Sequence, residues 1–255
     1  MNYLKHFKVA LGSAIKLRDV DADFSGPYKH KEEAAEPLES SLKEIFDLQL
    51  KLYAESRRAL LIVVQAMDTG GKDGLIRSVF SGVNPQGCRV TSFKAPSAEE
   101  AAHDFLWRIH QAVPPKGYLG IFNRSQYEEV LTVRVHKLLP KNVWAARYEQ
   151  INAFEKLLAQ NGVVILKFYL HISKDEQKKR LQSRIDDPLK NWKFEPNDLK
   201  ERALWDDYSK AYEEALTRCS TKWAPWFIIP ANKKWFRNLA VAKIIEHTMK
   251  GMDIQ

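Results

Sequence analysis

Residues 60–74 read LLIVVQAMDTGGKDG, and this stretch decides the fold. It begins with an apolar run over 60–64 that is long enough for a β-strand and far too short for a membrane span. Two glycines and a lysine follow, and residues 75–83 then have helical spacing. A buried strand, a glycine-rich turn and a helix in direct succession are typical of an α/β unit that binds phosphate where its helix begins.

The rest of the chain repeats this alternation of strand and helix. Further apolar runs of strand length occupy residues 88–94, 118–123, 163–172 and 226–229. Helical patterns occupy residues 97–112, 143–160, 173–185, 197–216 and 233–250, and another helix is expected from Ser125. Because the strands are apolar on both faces, the pattern predicts a parallel sheet covered by helices on each side, which is a three-layer α/β fold.

We interpret the chain as a single domain with two added parts. Residues 1–58 predict an N-terminal arm and helical extension, since 1–30 show no sustained period and the segment that follows becomes helical. Residues 59–255 then form the phosphate-binding domain, with a lid inserted over about 173–205. Neither an internal repeat nor a long linker is visible in the sequence.

Composition restricts the class of protein further. Among 255 residues, 40 Lys and Arg against 32 Asp and Glu give a net charge of +8, and 45% of the residues are hydrophobic, which is typical of a globular protein. The longest apolar run is a strand, and the N-terminus lacks the apolar core of a signal peptide, so we expect a cytoplasmic protein without a membrane partner. The spacing of Cys88 and Cys219 argues against a disulfide scaffold or a zinc site. The positive charge indicates a polyanionic partner and does not by itself identify it.

The phosphate loop, defined here as Ala66–Gly74, matches the spacing G-x4-G-K-[ST] with two departures. Ala66 stands in place of the first glycine, and Asp73 replaces the hydroxyl residue after the lysine. Backbone N–H groups of such a loop can point at an anion, and Lys72 can reach phosphate oxygens. The candidate phosphate-binding residues of the loop are therefore Thr69, Gly70, Gly71, Lys72, Asp73 and Gly74.

Two acids in this loop predict a metal. Bare carboxylates would repel phosphates, so Asp68 and Asp73 beside the loop make sense if Mg²⁺, or Mn²⁺ as an alternative, lies between acid and phosphate. Asn123 ends the strand at 118–123 and is a weaker candidate ligand, because an amide brings no charge. Arg124 next to it is a natural phosphate ligand, and Ser125 is expected to cap a helix.

Two basic segments lie outside the loop. Arg180 and Arg184 are four residues apart in the predicted lid, where one helical face can bring both to a transferring phosphate; a salt-bridged surface helix is the alternative. Residues 130–148 contain no acid and hold Arg134, Lys137, Lys141 and Arg147. This second segment is either a solvated face or a track for a long polyanion, with Arg134 as a candidate phosphate ligand.

Three stretches together resemble the family-2 polyphosphate kinases: MDTGGKDG at 67–74, FNRSQY at 122–127 with the adjoining EEVL, and SRIDDPLKNWK at 183–193. The resemblance covers about residues 35–235. It implies a kinase that transfers the terminal phosphate of inorganic polyphosphate to AMP or ADP, and the wording NRSQYEEVL is most similar to the branch that acts on both. It also implies a P-loop kinase fold similar to thymidylate kinase, and a homo-oligomer, either a dimer or a tetramer.

The same resemblance implies roles for single residues. Asp68 would bind Mg²⁺ and be required for catalysis, Lys72 and Arg124 would hold phosphates, and Arg184 would act from the lid. Other members carry Asp where this chain has Asn123. The nucleotide is expected to carry adenine, with guanine as an alternative.

Two other functions remain open from the sequence. An ATP-dependent nucleoside or nucleoside-monophosphate kinase would share the loop and lid, although it normally has Ser or Thr after the lysine. A basic nucleic-acid-binding module is suggested by the charge and by seven Trp, but these are scattered, and we expect no nucleic-acid partner. A phosphohistidine on His103, His110 or His136 is disfavoured, because direct in-line transfer needs no covalent carrier.

Overall fold

The computed structural model describes residues 1–189, 191 and 197–254. Within these residues the sheet has five parallel strands in the order β2-β3-β1-β4-β5. The strands are β1 (Ala59–Ala66), β2 (Cys88–Ser92), β3 (Leu119–Asn123), β4 (Val163–His171) and β5 (Trp226–Pro230). The prediction of a parallel sheet flanked by helices is confirmed, and each predicted strand agrees with its observed limits to within two residues.

The helices of the described residues are α1 (Tyr3–Phe7), α2 (Ala35–Glu55), α3 (Lys72–Phe80), α4 (Ala98–Ala101), α5 (Trp107–Ala112), α6 (Thr132–Val135), α7 (Lys141–Gln160), α8 (Lys174–Asp186), α9 (Asn197–Ala203), α10 (Trp205–Cys219) and α11 (Lys234–Gly251). The helix predicted over 97–112 is two short helices, because the Asp104 carboxylate accepts from the Leu106 N–H and forms a turn there. The helix predicted from Ser125 is a short 3₁₀ turn at Gln126–Glu129.

Side chains of the central strand β1 point alternately to the two faces of the sheet, and each face has its own core. Leu60, Ile62 and Val64 pack on the side of α2, α3 and α11. Leu61 and Val63 pack on the side of α5, α7 and α10. Every residue of β1 is buried, which explains why its sequence is apolar except at Gln65.

The register of the sheet brings the functional segments to one edge. Val64 of β1 lies opposite Asn123, the last residue of β3, and Ala66 lies opposite Leu170 near the end of β4. The chain that leaves each of these strands therefore continues at the same carboxyl edge, where ligands of open α/β sheets bind.

The N-terminal arm packs on the body of the protein. Lys8 forms an antiparallel bridge with Phe227, and the Val9 N–H donates to the Trp226 carbonyl, so the arm covers edge strand β5. Farther along, the Leu17 N–H donates to Glu213 of α10. The division at residue 58 stays a prediction. No helix in the described part of the chain combines the length and apolarity needed to cross a membrane.

Candidate active site

The backbone of the phosphate loop needs glycine at two positions. A Cβ on Gly70 would lie 2.5 Å from the Ala66 Cβ and 2.8 Å from the Met67 carbonyl oxygen, which is too close for any side chain. Gly71 has φ +94°, and a Cβ there would lie 2.2 Å from Nη1 of Arg237. Thr69 adopts a left-handed φ of 60° without being glycine, which is a strained conformation of the kind that concentrates at functional sites.

Helix α3 begins inside the loop, and its N-terminus is free to bind an anion. No side chain caps this end, and the N–H groups of Gly71, Lys72 and Asp73 donate no hydrogen bond within the described residues. The hydroxyl of Thr69 is buried and also lacks a partner there. A helix N-terminus carries partial positive charge and unsatisfied donors, so this arrangement suits phosphate oxygens.

Four buried or nearly buried side chains donate hydrogen bonds to the carbonyl groups of the loop. We call them the back wall: Gln177, Arg180, Tyr212 and Arg237. Tyr212 donates to the Ala66 carbonyl at 3.0 Å, and Gln177 donates to that of Asp68 at 3.1 Å. Arg180 and Arg237 donate to the carbonyls of Thr69 and Gly71, each at 3.1 Å. Since the carbonyls are fixed from behind, the loop is held in one conformation before a ligand arrives.

Each acid of the loop contacts a residue that follows or ends β3. A carboxylate oxygen of Asp68 lies 3.7 Å from Nη2 of Arg124, and the Asn123 amide donates to Asp73 at 2.7 Å. The described residues contain no cluster of three His, Cys, Asp or Glu side chains that would enclose a metal. The partly buried carboxylate of Asp68 and the exposed one of Asp73 do fit Mg²⁺, which keeps several waters and takes other ligands from phosphate.

Lys72 lies at the base of the loop, with its ammonium 3.4 Å from the Ala66 carbonyl oxygen. Burial lowers the pKa of Lys72, and the charge of Arg124 lowers it further, while Asp68, Glu128 and Asp73 act in the opposite direction. The structure thus brings together the predicted Asp68, Lys72, Asp73 and Arg124. It also places Asn123 beside them, as a partner of Asp73.

Arg124 is positioned by an unusual backbone. Its N–H donates to the Val64 carbonyl at 3.1 Å, which extends the ladder between β1 and β3 by one residue. Its φ of 63° then turns the chain sharply away from the sheet. Ser125 caps the turn that follows by accepting from the Tyr127 N–H, as expected for a cap.

Glu128 is a further acid at the site, and no sequence motif predicted a role for it. Its carboxylate accepts a hydrogen bond from the Thr132 hydroxyl at 2.7 Å and acts electrostatically on both Lys72 and Arg124. The only signal in the sequence was its place in EEVL, directly after FNRSQY. Gln177, Tyr212 and Arg237 were likewise not singled out.

The two arginines of the predicted lid lie in different surroundings. Arg180 is 8% exposed; it forms an ion pair with Glu176 and donates to the carbonyls of Thr69, Ala231 and Asn232. Arg184 lies 3.3 Å from Asp198 of α9. Geometry therefore gives Arg180 a place behind the loop, and direct phosphate contact by either arginine stays a prediction. Lys190 and residues 192–196, in the predicted lid and in the SRIDDPLKNWK stretch, lie outside the described residues.

The basic segment 130–148 divides into two kinds of cation. Arg134 pairs with Glu214 at 2.5 Å and lies over the Trp144 ring, and Arg147 pairs with Glu129. Lys137 and Lys141 are exposed and form no ion pair with other described residues. The structure thus leaves two lysines as the free cations of this segment in the described chain, and phosphate binding by Arg134 stays a prediction.

A second polar cluster lies in the core beneath the FNRSQY segment. Lys167 of β4 is fully buried; it donates to Glu155 at 2.5 Å and to the Tyr127 hydroxyl at 2.7 Å. Tyr127 and Gln126 in turn donate to the other oxygen of Glu155. We call these four residues the buried lysine cluster. It ties the turn after β3 to α7 and β4.

The histidines lie apart from the loop in their contacts. His103 stacks on Trp107, His110 packs edge-on against Phe154, and His136 contacts Glu201 at 3.1 Å. None of these three contacts involves the phosphate loop, which agrees with transfer that uses no histidine carrier.

Comparisons with known proteins agree with this geometry. The family model described as Polyphosphate kinase 2 matches residues 28–255. The chain is 51% identical over 253 residues to an AMP/ADP-polyphosphate phosphotransferase of Meiothermus ruber, covering 99% of this chain and 95% of that one. It is 46% identical to an ADP-polyphosphate phosphotransferase of Rhodopseudomonas palustris, covering 97% and 90%. The crystal structure of polyphosphate kinase 2 from Arthrobacter aurescens superimposes with a TM-score of 0.96 at 43% identity, covering 100% of this chain and 91% of that one.

Proposed function

The chain belongs to the polyphosphate kinase 2 family, and on this premise we propose that it transfers the terminal phosphate of inorganic polyphosphate to AMP and to ADP. One observation carries the proposal: no side chain caps the N-terminus of α3, and the back wall donates hydrogen bonds to the carbonyls of the phosphate loop before it. The relatives' names support both acceptors, since one acts on AMP and ADP and another on ADP.

The proposed chemistry is direct in-line transfer. A phosphate oxygen of the nucleotide attacks the end phosphorus of polyphosphate, and the shortened chain leaves with the electrons of the broken P–O bond. Lys72, Arg124 and the N-terminus of α3 would hold the phosphates in line and oppose the charge that develops on them. No residue needs to form a covalent bond with the phosphate.

Asp68 and Asp73 would hold the divalent cation of the reaction, Mg²⁺ or Mn²⁺. The cation would neutralise phosphate charge, which is the chemistry that the protein's own carboxylates lack. Asn123 would orient Asp73 through its hydrogen bond. It is therefore the weakest candidate ligand of the three proposed metal-site residues.

The described part of the chain offers a nucleic-acid-binding role no fully exposed tryptophan. Every tryptophan of the described residues is at least partly covered, and Trp144 and Trp226 are buried in the core. Single-stranded nucleic acid needs exposed aromatic rings among basic residues. An ATP-dependent kinase would differ from the proposed enzyme in its phosphate donor, which would be ATP and not polyphosphate.

The test is a donor and acceptor screen in the presence of Mg²⁺. AMP, ADP, GMP and GDP are each incubated with polyphosphate or with ATP, and the products are identified. We expect ADP and ATP to form from the adenine nucleotides with polyphosphate as donor; transfer from ATP alone would contradict the proposal. The guanine nucleotides decide the base preference, and light scattering decides whether the proposed homo-oligomer is a dimer or a tetramer.

The matched variants are Asp68→Asn and Lys72→Ala. Each should lower the rate of phosphoryl transfer by more than about 100-fold, because each removes a charge that faces the phosphates. Both should unfold at a temperature close to that of the unmodified chain, since Asp68 and Lys72 are only partly buried. Turnover that persists in either variant would mean that the loop is not the reacting site.

A further inference from the structure

Arg237 is a buried cation that no motif predicted. It lies in the first turn of α11, it is 2% exposed, and its guanidinium is divided between two acceptors. Nη1 donates to the Gly71 carbonyl at 3.1 Å, while Nε and Nη2 donate to the Asn238 side chain at 3.1 and 2.7 Å. Both acceptors are neutral, and Arg237 forms no ion pair with any of the described residues.

Its neighbour Arg180 increases the positive charge at this place. The position of a Cβ on Gly71 is 2.2 Å from a nitrogen of Arg237 and 3.5 Å from one of Arg180, so the two guanidinium groups lie close together behind the same peptide. Arg180 pairs with Glu176, which leaves one positive charge unbalanced. Burial lowers the pKa of Arg237 to about 10, and the charge of Arg180 contributes to this shift.

A buried cation without an acid costs stability, and such groups persist where function needs them. The Gly71 peptide belongs to the phosphate loop, in which the N–H groups of Gly71, Lys72 and Asp73 donate no hydrogen bond within the described residues. We infer that Arg237 is a positioning residue for the phosphate loop, and that the bound phosphate chain supplies the negative charge that its guanidinium lacks. This inference rests on the proposed function.

Two requirements follow from this role. Arg237 must keep the Gly71 carbonyl turned away from the phosphates, and its charge must strengthen their binding without touching them. Removal of the charge should therefore raise KM for polyphosphate, whereas a substitution that merely loosens the core would lower thermal stability and leave KM as it was.

The experiment compares Arg237→Gln, which keeps a hydrogen-bond donor and removes the charge, with Arg237→Lys, which keeps the charge. Arg108→Gln is the matched control, because Arg108 is 8% exposed and has Glu100 and Glu129 as partners. We expect Arg237→Gln to raise KM for polyphosphate about tenfold. With polyphosphate at about ten times the Kd of the unmodified chain, the variant should lose more than half of the rise in melting temperature that polyphosphate produces. Arg237→Lys should recover at least half of both effects, and the control should keep KM within about twofold.

Three results would overturn the inference: wild-type KM in Arg237→Gln, no recovery in Arg237→Lys, or an equal rise of KM in the Arg108 control. If Arg237→Gln does not fold, a tenfold rise of KM in Arg237→Lys overturns it as well. The unmodified chain keeps the two proposals separate. If it transfers no phosphate from polyphosphate, the proposed function fails; if it does and the Arg237 variants match it, only this inference fails.

Discussion

Lys167 and Arg237 are both buried cations, and their surroundings differ in one respect. Lys167 lies against the carboxylate of Glu155, with the Tyr127 hydroxyl and the Cys219 carbonyl as further acceptors. Among the described residues, the acceptors of Arg237 are a backbone carbonyl and an asparagine. The first cation is balanced within the protein, whereas the second is balanced, on our proposal, by the substrate.

This difference separates the work of the two regions. The buried lysine cluster ties β4, α7 and the turn after β3 together, and it can do so with or without a ligand. The back wall holds the loop carbonyls and leaves positive charge in excess at the place where, on our proposal, phosphates bind. Stability should depend on the first region and substrate binding on the second.

The largest expected effect is on stability, from Lys167→Met. This change leaves the Glu155 carboxylate buried without its cation, so the free energy of unfolding should fall by about 3–5 kcal/mol. The measurement is urea unfolding, followed by an assay of KM for polyphosphate below the midpoint. KM should stay within about twofold, since the cluster does not face the phosphates.

The control for this prediction is the double variant Lys167→Met with Glu155→Gln. It removes both charges and should regain at least about half of the lost stability, because no unpaired charge remains in the core. If Lys167→Met alone lowers the free energy of unfolding by less than about 1 kcal/mol, the comparison fails, because the pair of Lys167 and Glu155 would then contribute little to stability.

A smaller effect on stability is expected from Tyr212→Phe. This variant separates the hydrogen bond to a loop carbonyl from the positive charge behind the loop. Tyr212 belongs to the back wall and donates to the Ala66 carbonyl, but it is neutral. Its loss should cost about 1 kcal/mol of stability and lower kcat/KM about threefold. If instead it raises KM for polyphosphate as much as Arg237→Gln does, then the geometry of the loop carbonyls, and not the charge behind them, controls phosphate binding.

Much of this arrangement could be predicted from local sequence. β1 and β4 are largely apolar and buried on both faces, so they were visible as buried strands, and the glycines of the loop followed closely on β1. Asp68 and Lys72 could be found for the same reason, because their places depend only on the strand, turn and helix that contain them.

The back wall could not be found in this way. Arg237 stands in a helical stretch, KWFRNLAV, that matches no functional motif, and it is buried because α11 packs on α3, far away in the chain. Arg180 and Arg184 were predicted to act together from one face. Arg180 donates to the carbonyls of Thr69 and Ala231, and these contacts depend on the tertiary fold.

The smallest expected effect extends the comparison to the surface. In segment 130–148 the arginines are balanced by carboxylates, as Lys167 is, while Lys137 and Lys141 are exposed and without an ion pair in the described chain. If unbalanced cations attract the phosphate chain here too, Lys137→Glu with Lys141→Glu should raise KM severalfold for long polyphosphate and hardly at all for a short chain. The effect should weaken at high salt, because exposed charges are screened.

Arg218→Glu supplies the matched control, since Arg218 is an exposed cation that already pairs with Glu214. It reverses one surface charge outside the segment and should change KM for long and short chains alike, by less than about twofold. Equal effects of the lysine variant on both chain lengths would assign Lys137 and Lys141 to the solvated surface. Unbalanced cations would then mark the phosphate site only in the interior, where water cannot solvate the charge.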